Sequence, residues 1–144
     1  RFRHDDSGVL SRILLFDWWV KNTDRALSEI GGNPNLLWEI HPGRVVMIDH
    51  DNAFDAVFEV AAFRRFHALR THLRSWTPAF RAELSAWLEA GLGRLDDIWN
   101  EIPEEWLVDS HGDFRCALDK EGLKAVLWSF RKDPDFWTIP NSPP

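Results

Sequence analysis

Apolar residues recur at helical spacing over most of the chain, and one stretch near the middle departs from that spacing. A first helix is predicted from a cap at Asp6 or Ser7 to about Asn22, because apolar residues recur three and four positions apart. This helix is apolar almost all round, which predicts a central position. Further helical patterns cover residues 56–71, 77–92, 95–102, 104–108 and 114–132.

The stretch without helical spacing predicts a β-hairpin. Two apolar runs, residues 36–40 and 44–48, flank a three-residue loop whose glycine suits a left-handed turn position. With that loop, Asn35 would lie opposite Asp49. Directly opposed side chains have Cβ atoms about 4.5–5.5 Å apart. The pattern therefore predicts that Asn35 and Asp49 are neighbours at the open end of the hairpin.

Composition favours one folded domain and argues against several classes of function. The 144 residues are 44% hydrophobic and include nine Trp and ten Phe, which predicts a core of large rings. A net charge of -6 gives no electrostatic footprint for nucleic acid. There is no apolar run of bilayer length and no signal-peptide pattern, and the single cysteine, Cys116, cannot form an internal disulfide. We expect one cytoplasmic domain, residues 1–144, that binds neither nucleic acid nor membrane.

Candidate chemistry lies in three polar segments between strongly apolar elements, at residues 22–25, 33–35 and 49–52. Mg²⁺ prefers oxygen ligands, and proteins usually hold it by one or two carboxylates while phosphates and water complete the shell. Asn35 and Asp49 could supply two such oxygens as a cross-strand pair. Asp24, just past the first helix, could accept the proton of a hydroxyl group.

These segments resemble HipA-like kinases, and the specific part of the resemblance spans residues 16–54. The resemblance implies a mainly α fold with one β-hairpin, similar to the large C-terminal lobe of such a kinase. It also implies that Asp24 positions the attacking hydroxyl, that Asn33 or Asn35 helps to hold a metal, and that Asp49 binds Mg²⁺ over the phosphates. The phrases that carry it are Phe16-Asp17, Asn22-Thr23-Asp24-Arg25, Asn33-Pro34-Asn35-Leu36-Leu37-Trp38 and Ile48-Asp49-His50.

The chain departs from the family pattern at three places. Residues 26–32 lengthen the spacing between Asp24 and Asn33, and Asp51 stands where the pattern has glycine. The sequence also contains no glycine-rich phosphate loop, and its lysines are limited to Lys21, Lys120, Lys124 and Lys132. We therefore expect the nucleotide-binding small lobe to be absent from this chain, with weak Mg²⁺ binding and ATP binding only if a small lobe is supplied.

More than one class of function is open at this point. The first is a fragment or split subunit of a HipA-like kinase, with Mg²⁺-dependent phosphotransfer residues but incomplete on its own. The second is a non-enzymatic helical module that keeps the kinase-lobe fold and binds a protein partner. A metal-dependent phosphohydrolase is a third. The first two differ in whether a nucleotide-binding half takes part.

A lobe taken from a two-lobed fold exposes apolar surface, which a monomer rarely tolerates when it is extensive. We therefore predict a homodimer or a complex with a partner protein that supplies the small lobe. Sedimentation velocity over a wide concentration range should show self-association or, for a partner complex, a monomer that binds an apolar-surface dye. A monodisperse monomer that binds no dye would contradict this prediction.

Overall fold

A computed structural model describes residues 7–28, 31–72, 77–107 and 119–141. Contacts divide the chain into two compact units, the first comprising Arg1–Arg74 with Ile139–Pro144 and the second Ser75–Thr138. The single domain expected from composition stays a prediction. Asp6, Cys116 and the start of the helix predicted over 114–132 lie outside the described residues.

The described residues are mostly helical, with two small two-stranded sheets, as the apolar spacing predicts. The elements of the first unit are α1 (Ser7–Trp19), β1 (Leu27–Ser28), β2 (Gly31–Gly32), β3 (Leu36–Glu39), β4 (Arg44–Met47), α2 (Val60–Phe66) and the 3₁₀ turn Arg70–His72. Those that follow are α3 (Pro78–Leu92), α4 (Leu95–Glu101), α5 (Glu104–Leu107), α6 (Lys120–Leu127), α7 (Ser129–Lys132) and the 3₁₀ segment Pro134–Asn141.

Helix α1 supplies most of the buried apolar side chains of the first unit, which confirms its predicted central position. It ends at Trp19 rather than near Asn22. The reason is that Lys21 takes a left-handed conformation (φ 54°), and the backbone N–H of Asn22 donates to the carbonyl of Asp17 at 2.8 Å. The buried apolar residues of α1 and its last turn are Leu10, Ile13, Leu14, Leu15, Trp18, Trp19 and Val20.

Strands β3 and β4 form the predicted hairpin, but the predicted register is wrong by one residue. Leu36 pairs with Met47, and the backbone N–H of Ile48 donates to the carbonyl of Asn35 at 3.0 Å, so Asn35 does not face Asp49 directly. Strand β3 ends at Glu39, one residue earlier than predicted, because the N–H of Gly43 donates to the carbonyl of Glu39 at 3.0 Å. A one-residue slip changes which side chains share a face.

The residues that lengthen the spacing between Asp24 and Asn33 form a ladder of their own. Strands β1 and β2 pair antiparallel, with Leu27 opposite Gly32. A Cβ atom at Gly32 would overlap the carbonyl oxygen of Ala26, so this close approach requires glycine. The described part of the extra length, residues 26–28 and 31–32, is therefore held in a two-stranded ladder.

The helix predicted over 56–71 is confirmed only in its middle, over Val60–Phe66. Before it, the Asp55 side chain accepts hydrogen bonds from the N–H of Val57 and the hydroxyl of Thr23, both at 2.9 Å, and this holds a turn. After it, His67 has an extended backbone that ends the helix.

The second unit is helical, and its first helix begins where the sequence predicts. Thr77 caps α3 by accepting a hydrogen bond from the N–H of Phe80 at 3.2 Å, and Pro78 follows at the first helical position. Leu84 and Leu88 of α3 are buried, as are Leu127, Phe130, Phe136 and Trp137. Across the described ranges, no helix is both long and apolar enough to cross a membrane.

Candidate functional site

The centre of the first unit is a buried carboxylate, Asp17, near the end of α1. Its oxygens accept hydrogen bonds from Asn22 Nδ2 at 2.8 Å, from Arg25 Nε at 2.7 Å and from His67 Nε2 at 3.0 Å. The Asp17 and Arg25 side chains are both fully buried and form an ion pair. A carboxylate offers about four acceptor sites. Asp17 is therefore close to saturated by donors from two segments, residues 22–25 and the residue that follows α2.

The ionisation of Asp17 depends on a balance between burial and hydrogen bonding. Burial by itself would raise the pKa of Asp17, because the charged form loses its water. Hydrogen bonds from His67, Arg25 and Asn22, together with the charge of Arg25, outweigh burial and hold the pKa of Asp17 below its usual value. Asp17 is thus a buried anion at neutral pH.

His67 acts as a neutral link between Asp17 and the segment after α2. Its Nδ1 accepts a hydrogen bond from the backbone N–H of Leu69 at 3.1 Å, so Nε2 carries the proton that is donated to Asp17. The ring also packs on Phe63 with centroids 4.6 Å apart. The arrangement fixes one tautomer of His67 and attaches α2 to the buried carboxylate.

The far end of Arg25 ties together the other two polar segments. Its Nη1 donates to the carbonyls of Pro34 at 2.7 Å and Asn35 at 2.5 Å. Its Nη2 donates to His50 Nε2 at 3.1 Å, and because a guanidinium has no acceptor, that ring nitrogen of His50 is unprotonated. One buried side chain therefore holds the Asn33-Pro34-Asn35 loop and the segment after β4. The longer spacing before Asn33 does not displace this loop from Arg25.

Asp24 is half-buried and is held by a residue from the third polar segment. One carboxylate oxygen of Asp24 accepts the backbone N–H of Asn52 at 2.8 Å, and the other accepts Nδ2 of the same residue. The backbone N–H of Asp24 donates to Asn22 Oδ1 at 3.2 Å. Each Asp24 oxygen keeps a further lone pair for another donor. The structure thus brings the first and third polar segments into direct contact.

The two asparagines proposed as metal ligands have different environments. Asn33 is exposed, and its Oδ1 accepts the backbone N–H of Asn35 at 2.9 Å, which is ordinary turn chemistry. Asn35 is only 4% exposed, and its Oδ1 has no hydrogen-bond partner among the described residues. A buried polar atom left unpaired costs about 1–3 kcal/mol. Of the two, Asn35 is the one whose side-chain oxygen has no hydrogen-bond partner among the described residues.

Asp49 is exposed and follows Ile48 at the end of the hairpin, beside the backbone of Asn35. Its backbone is left-handed (φ 53°), as is that of Asn35 (φ 47°). Such conformations cost on the order of 1–3 kcal/mol in non-glycine residues and cluster at functional sites. Of the described non-glycine residues with positive φ, Lys21, Asn35 and Asp49 border or belong to the polar segments, and Phe54 lies two residues past the third.

Within the described ranges there is no group of three or more His, Cys, Asp or Glu side chains suited to a metal ion. A metal in this region would depend on one amide oxygen and one carboxylate, from Asn35 and Asp49. That donor set fits Mg²⁺, which commonly takes few protein ligands and completes its shell with phosphate and water. It does not fit a tightly held structural metal.

Comparison with family models places these observations in a known class. The model described as HipA-like kinase matches residues 3–140. The chain therefore belongs to the HipA-like kinase family, as the motifs indicate. Searches of curated proteins and of solved structures gave no match.

Several site residues could not be assigned from the sequence. Asp17 belongs to a quoted motif, but its partner His67 lies 50 positions away, and no spacing rule connects them. Asn52 stands in a polar turn without a feature that singles it out. The position of Arg25 next to Asp24 in a quoted motif singles it out in the sequence. Its ion pair, however, is with Asp17.

Removing one partner of a buried ion pair should lower the free energy of unfolding far more than removing one partner of an exposed pair. Arg25→Ala leaves Asp17 buried without its cation, and we expect a loss of about 3–5 kcal/mol in the free energy of unfolding. The control is Arg44→Ala, whose pair with Glu39 has side chains 66% and 41% exposed. That loss should stay within about 1 kcal/mol. Urea unfolding checks both, and equal losses would contradict the central role of Arg25.

The lowered pKa of Asp17 predicts a specific loss of stability in acid. A carboxylate with a lower pKa in the folded state stabilises the fold fully above its unfolded value, about pH 4, and loses this as pH falls through the folded pKa. Asp17→Asn should therefore be less stable at pH 7 and should show a shallower decline in acid than the wild type. Asp51→Asn, an exposed site, is the control. Unfolding curves measured from pH 7 to pH 2 test this, and parallel declines for wild type and Asp17→Asn would refute it.

Proposed function

We propose that this member of the HipA-like kinase family is a kinase-type catalytic lobe with residues for Mg²⁺-dependent phosphotransfer, and that a separate nucleotide-binding half completes it. One observation carries the proposal. Asn35 Oδ1 is buried with no donor in the described part of the chain, beside the strand end that leads to Asp49. Arg25 holds that loop against the segment that carries Asp24.

Asp24 is proposed to orient the acceptor hydroxyl. A residue in this role needs a fixed carboxylate with a free lone pair within hydrogen-bond reach of the substrate. The two hydrogen bonds from Asn52 fix the carboxylate and leave lone pairs available. Asn52 is therefore a positioning residue in this proposal.

Asn35 and Asp49 are proposed to hold the metal. Asn33 is assigned to the turn instead, because its oxygen already accepts the N–H of Asn35. Mg²⁺ bound there would neutralise charge on the phosphate oxygens. With two protein ligands, the site should bind the free ion only weakly and more tightly when phosphates complete the shell.

The groups that would hold nucleotide phosphates are proposed to come from another segment or chain. Phosphoryl transfer depends almost entirely on positioning and on cations at the phosphates. Lys21, the lysine nearest to the site in sequence, lies over the rings of Trp18 and Phe58 at 4.1 and 5.0 Å from the centroids. A partner small-lobe protein, or a second copy that contributes residues, would complete the site.

A second candidate function is a non-enzymatic interaction module. One observation favours it: the hairpin carries exposed apolar residues on β3 and in its loop, namely Leu37, Trp38 and Ile40, which are 54%, 50% and 74% exposed. Aromatic and aliphatic residues in such positions commonly mark protein contacts. This module would need neither Mg²⁺ nor nucleotide, so the response to Mg²⁺ separates the two candidates.

A Mg²⁺ titration followed by backbone amide shifts tests the metal assignment. We expect saturation in the millimolar range, which corresponds to about 4 kcal/mol of binding free energy. Asp49→Ala should abolish the response and leave folding nearly intact, because Asp49 is exposed. Asp51→Ala removes a neighbouring exposed acid and should keep the response. Identical titrations for wild type and Asp49→Ala would refute the role of Asp49.

An ATP turnover assay tests whether this chain needs a second half for catalysis. The isolated chain with ATP and Mg²⁺ should show no turnover above the uncatalysed rate, because the cations that would hold the phosphates are missing. Robust ATP hydrolysis by the isolated chain that is lost in Asp24→Asn would show that these residues suffice, and would contradict the proposed need for a second half.

A further inference from the structure

The first unit contains a half-open cavity of about 260 Å³ next to the loop that carries Asp24. One wall is formed by residues on both sides of Asp24 in the chain, among them Thr23 and Ala26. The opposite wall is the face of α2 that presents Ala62 and Phe66. Neither Asn35 nor Asp49 is part of the lining, so the cavity is separate from the proposed metal site.

The chemistry of the walls favours an apolar occupant. The lining is predominantly apolar, and its polar members other than Glu59 already have partners inside the protein. Thr23 donates to Asp55, Arg25 and His67 bond to Asp17, and Asn22 is bonded to both Asp17 and Asp24. An occupant would therefore gain little from hydrogen bonds to these groups and would gain mainly from burying apolar surface.

The rim of the cavity carries a negative charge. Glu59 lines the cavity at the start of α2, is exposed, and forms no ion pair within the described residues. A cation placed beside it would meet complementary charge. The surface thus combines an apolar recess with an acidic edge.

The volume distinguishes between kinds of occupant. Pockets for small molecules are generally about 300–1,000 Å³, and this cavity lies just below that range. It suits one large side chain better than a whole ligand. Thr23 and Arg25 line the cavity and flank Asp24 in the chain, so the cavity lies along the segment that carries the proposed hydroxyl-orienting residue.

We infer that the cavity receives a large apolar side chain of a polypeptide acceptor, next to the Ser or Thr whose hydroxyl is offered to Asp24, with a Lys or Arg beside Glu59. The identity of the hydroxyl rests on the proposed function, whereas the binding preference rests on the cavity alone. The acceptor is therefore recognised by three neighbouring residues. One carries the hydroxyl group, one has an aromatic or branched apolar side chain, and one is a cation.

Blocked tripeptides test this preference in the full 144-residue chain by amide shift perturbation. N-acetyl-Ser-Phe-Lys-amide should bind about tenfold or more tightly than the Ser-Ala-Lys peptide, because the aromatic side chain would be buried. It should bind about two- to fivefold more tightly than Ser-Phe-Glu, as expected for an exposed charge pair. N-acetyl-phenylalaninamide, which lacks the neighbours, should bind more weakly. The affected amides should include Ala26 and Ala62.

Two variants make the cavity unsuitable for an apolar side chain, and one control leaves it unchanged. Ala62→Phe fills the cavity from an exposed helical position, and Val57→Asp places a charge in its apolar lining at a residue that is 77% exposed. Both should abolish discrimination between the Phe and Ala peptides. Ala61→Phe adds the same ring at the adjacent exposed position, which is outside the lining, and should bind like the wild type. Glu59→Gln should remove only the preference for Lys over Glu.

The outcomes separate this inference from the proposed function. Apolar discrimination that depends on Ala62 and Val57 supports the cavity, whatever the result of the Mg²⁺ titration at Asp49. Three results would overturn it: no discrimination between the peptides, equal effects of Ala61→Phe and Ala62→Phe, or equal binding of the single amino-acid amide, which would mark a small-molecule site. A normal Mg²⁺ response with any of these results would leave the proposed function standing and remove only the acceptor site.

Discussion

The buried ion pair between Asp17 and Arg25 is the interaction on which the rest of the site depends. Removing two charges from water costs several kcal/mol per ion, and a fold offsets this only when geometry and hydrogen bonding are nearly complete. Here Asn22 and His67 supply the remaining donors to Asp17, while the outer nitrogens of Arg25 donate to carbonyls and to a ring nitrogen. Satisfying this pair therefore forces distant segments into contact.

In the proposed function, these contacts preorganise the loops that carry the candidate residues. Arg25 fixes the backbone of Asn35, and Asn52 fixes the carboxylate of Asp24, through contacts within the protein itself. Holding reacting groups in place in advance is the main contribution that a protein makes to phosphoryl transfer. The hydrogen bonds from Arg25 and from the N–H of Ile48 to the carbonyl of Asn35 also help to maintain the left-handed conformation of Asn35.

Much of the local structure could be predicted from the sequence, and much of the site could not. The α1 pattern, the hairpin and the Thr77 cap all depend on short-range spacing, and the structure confirms them. The predicted register of the hairpin was wrong because the N–H of Gly43 donates to the carbonyl of Glu39, and apolar spacing does not determine this loop hydrogen bond. The hydrogen bonds that Asp17 accepts from His67 and Asp24 accepts from Asn52 join residues far apart in sequence, so only the fold could show them.

We propose that Asn35 and Asp49 bind one cation close to Asp24, and paramagnetic Mn²⁺ in place of Mg²⁺ tests this most directly. At low Mn²⁺, line broadening should appear first at the amides of residues 33–35 and 49–52 and of Asp24, and Asp49→Ala should remove it. Broadening that instead began at exposed acidic pairs elsewhere, such as Asp96 with Asp97 in α4, would contradict the account. So would broadening at the hairpin end that persists in Asp49→Ala.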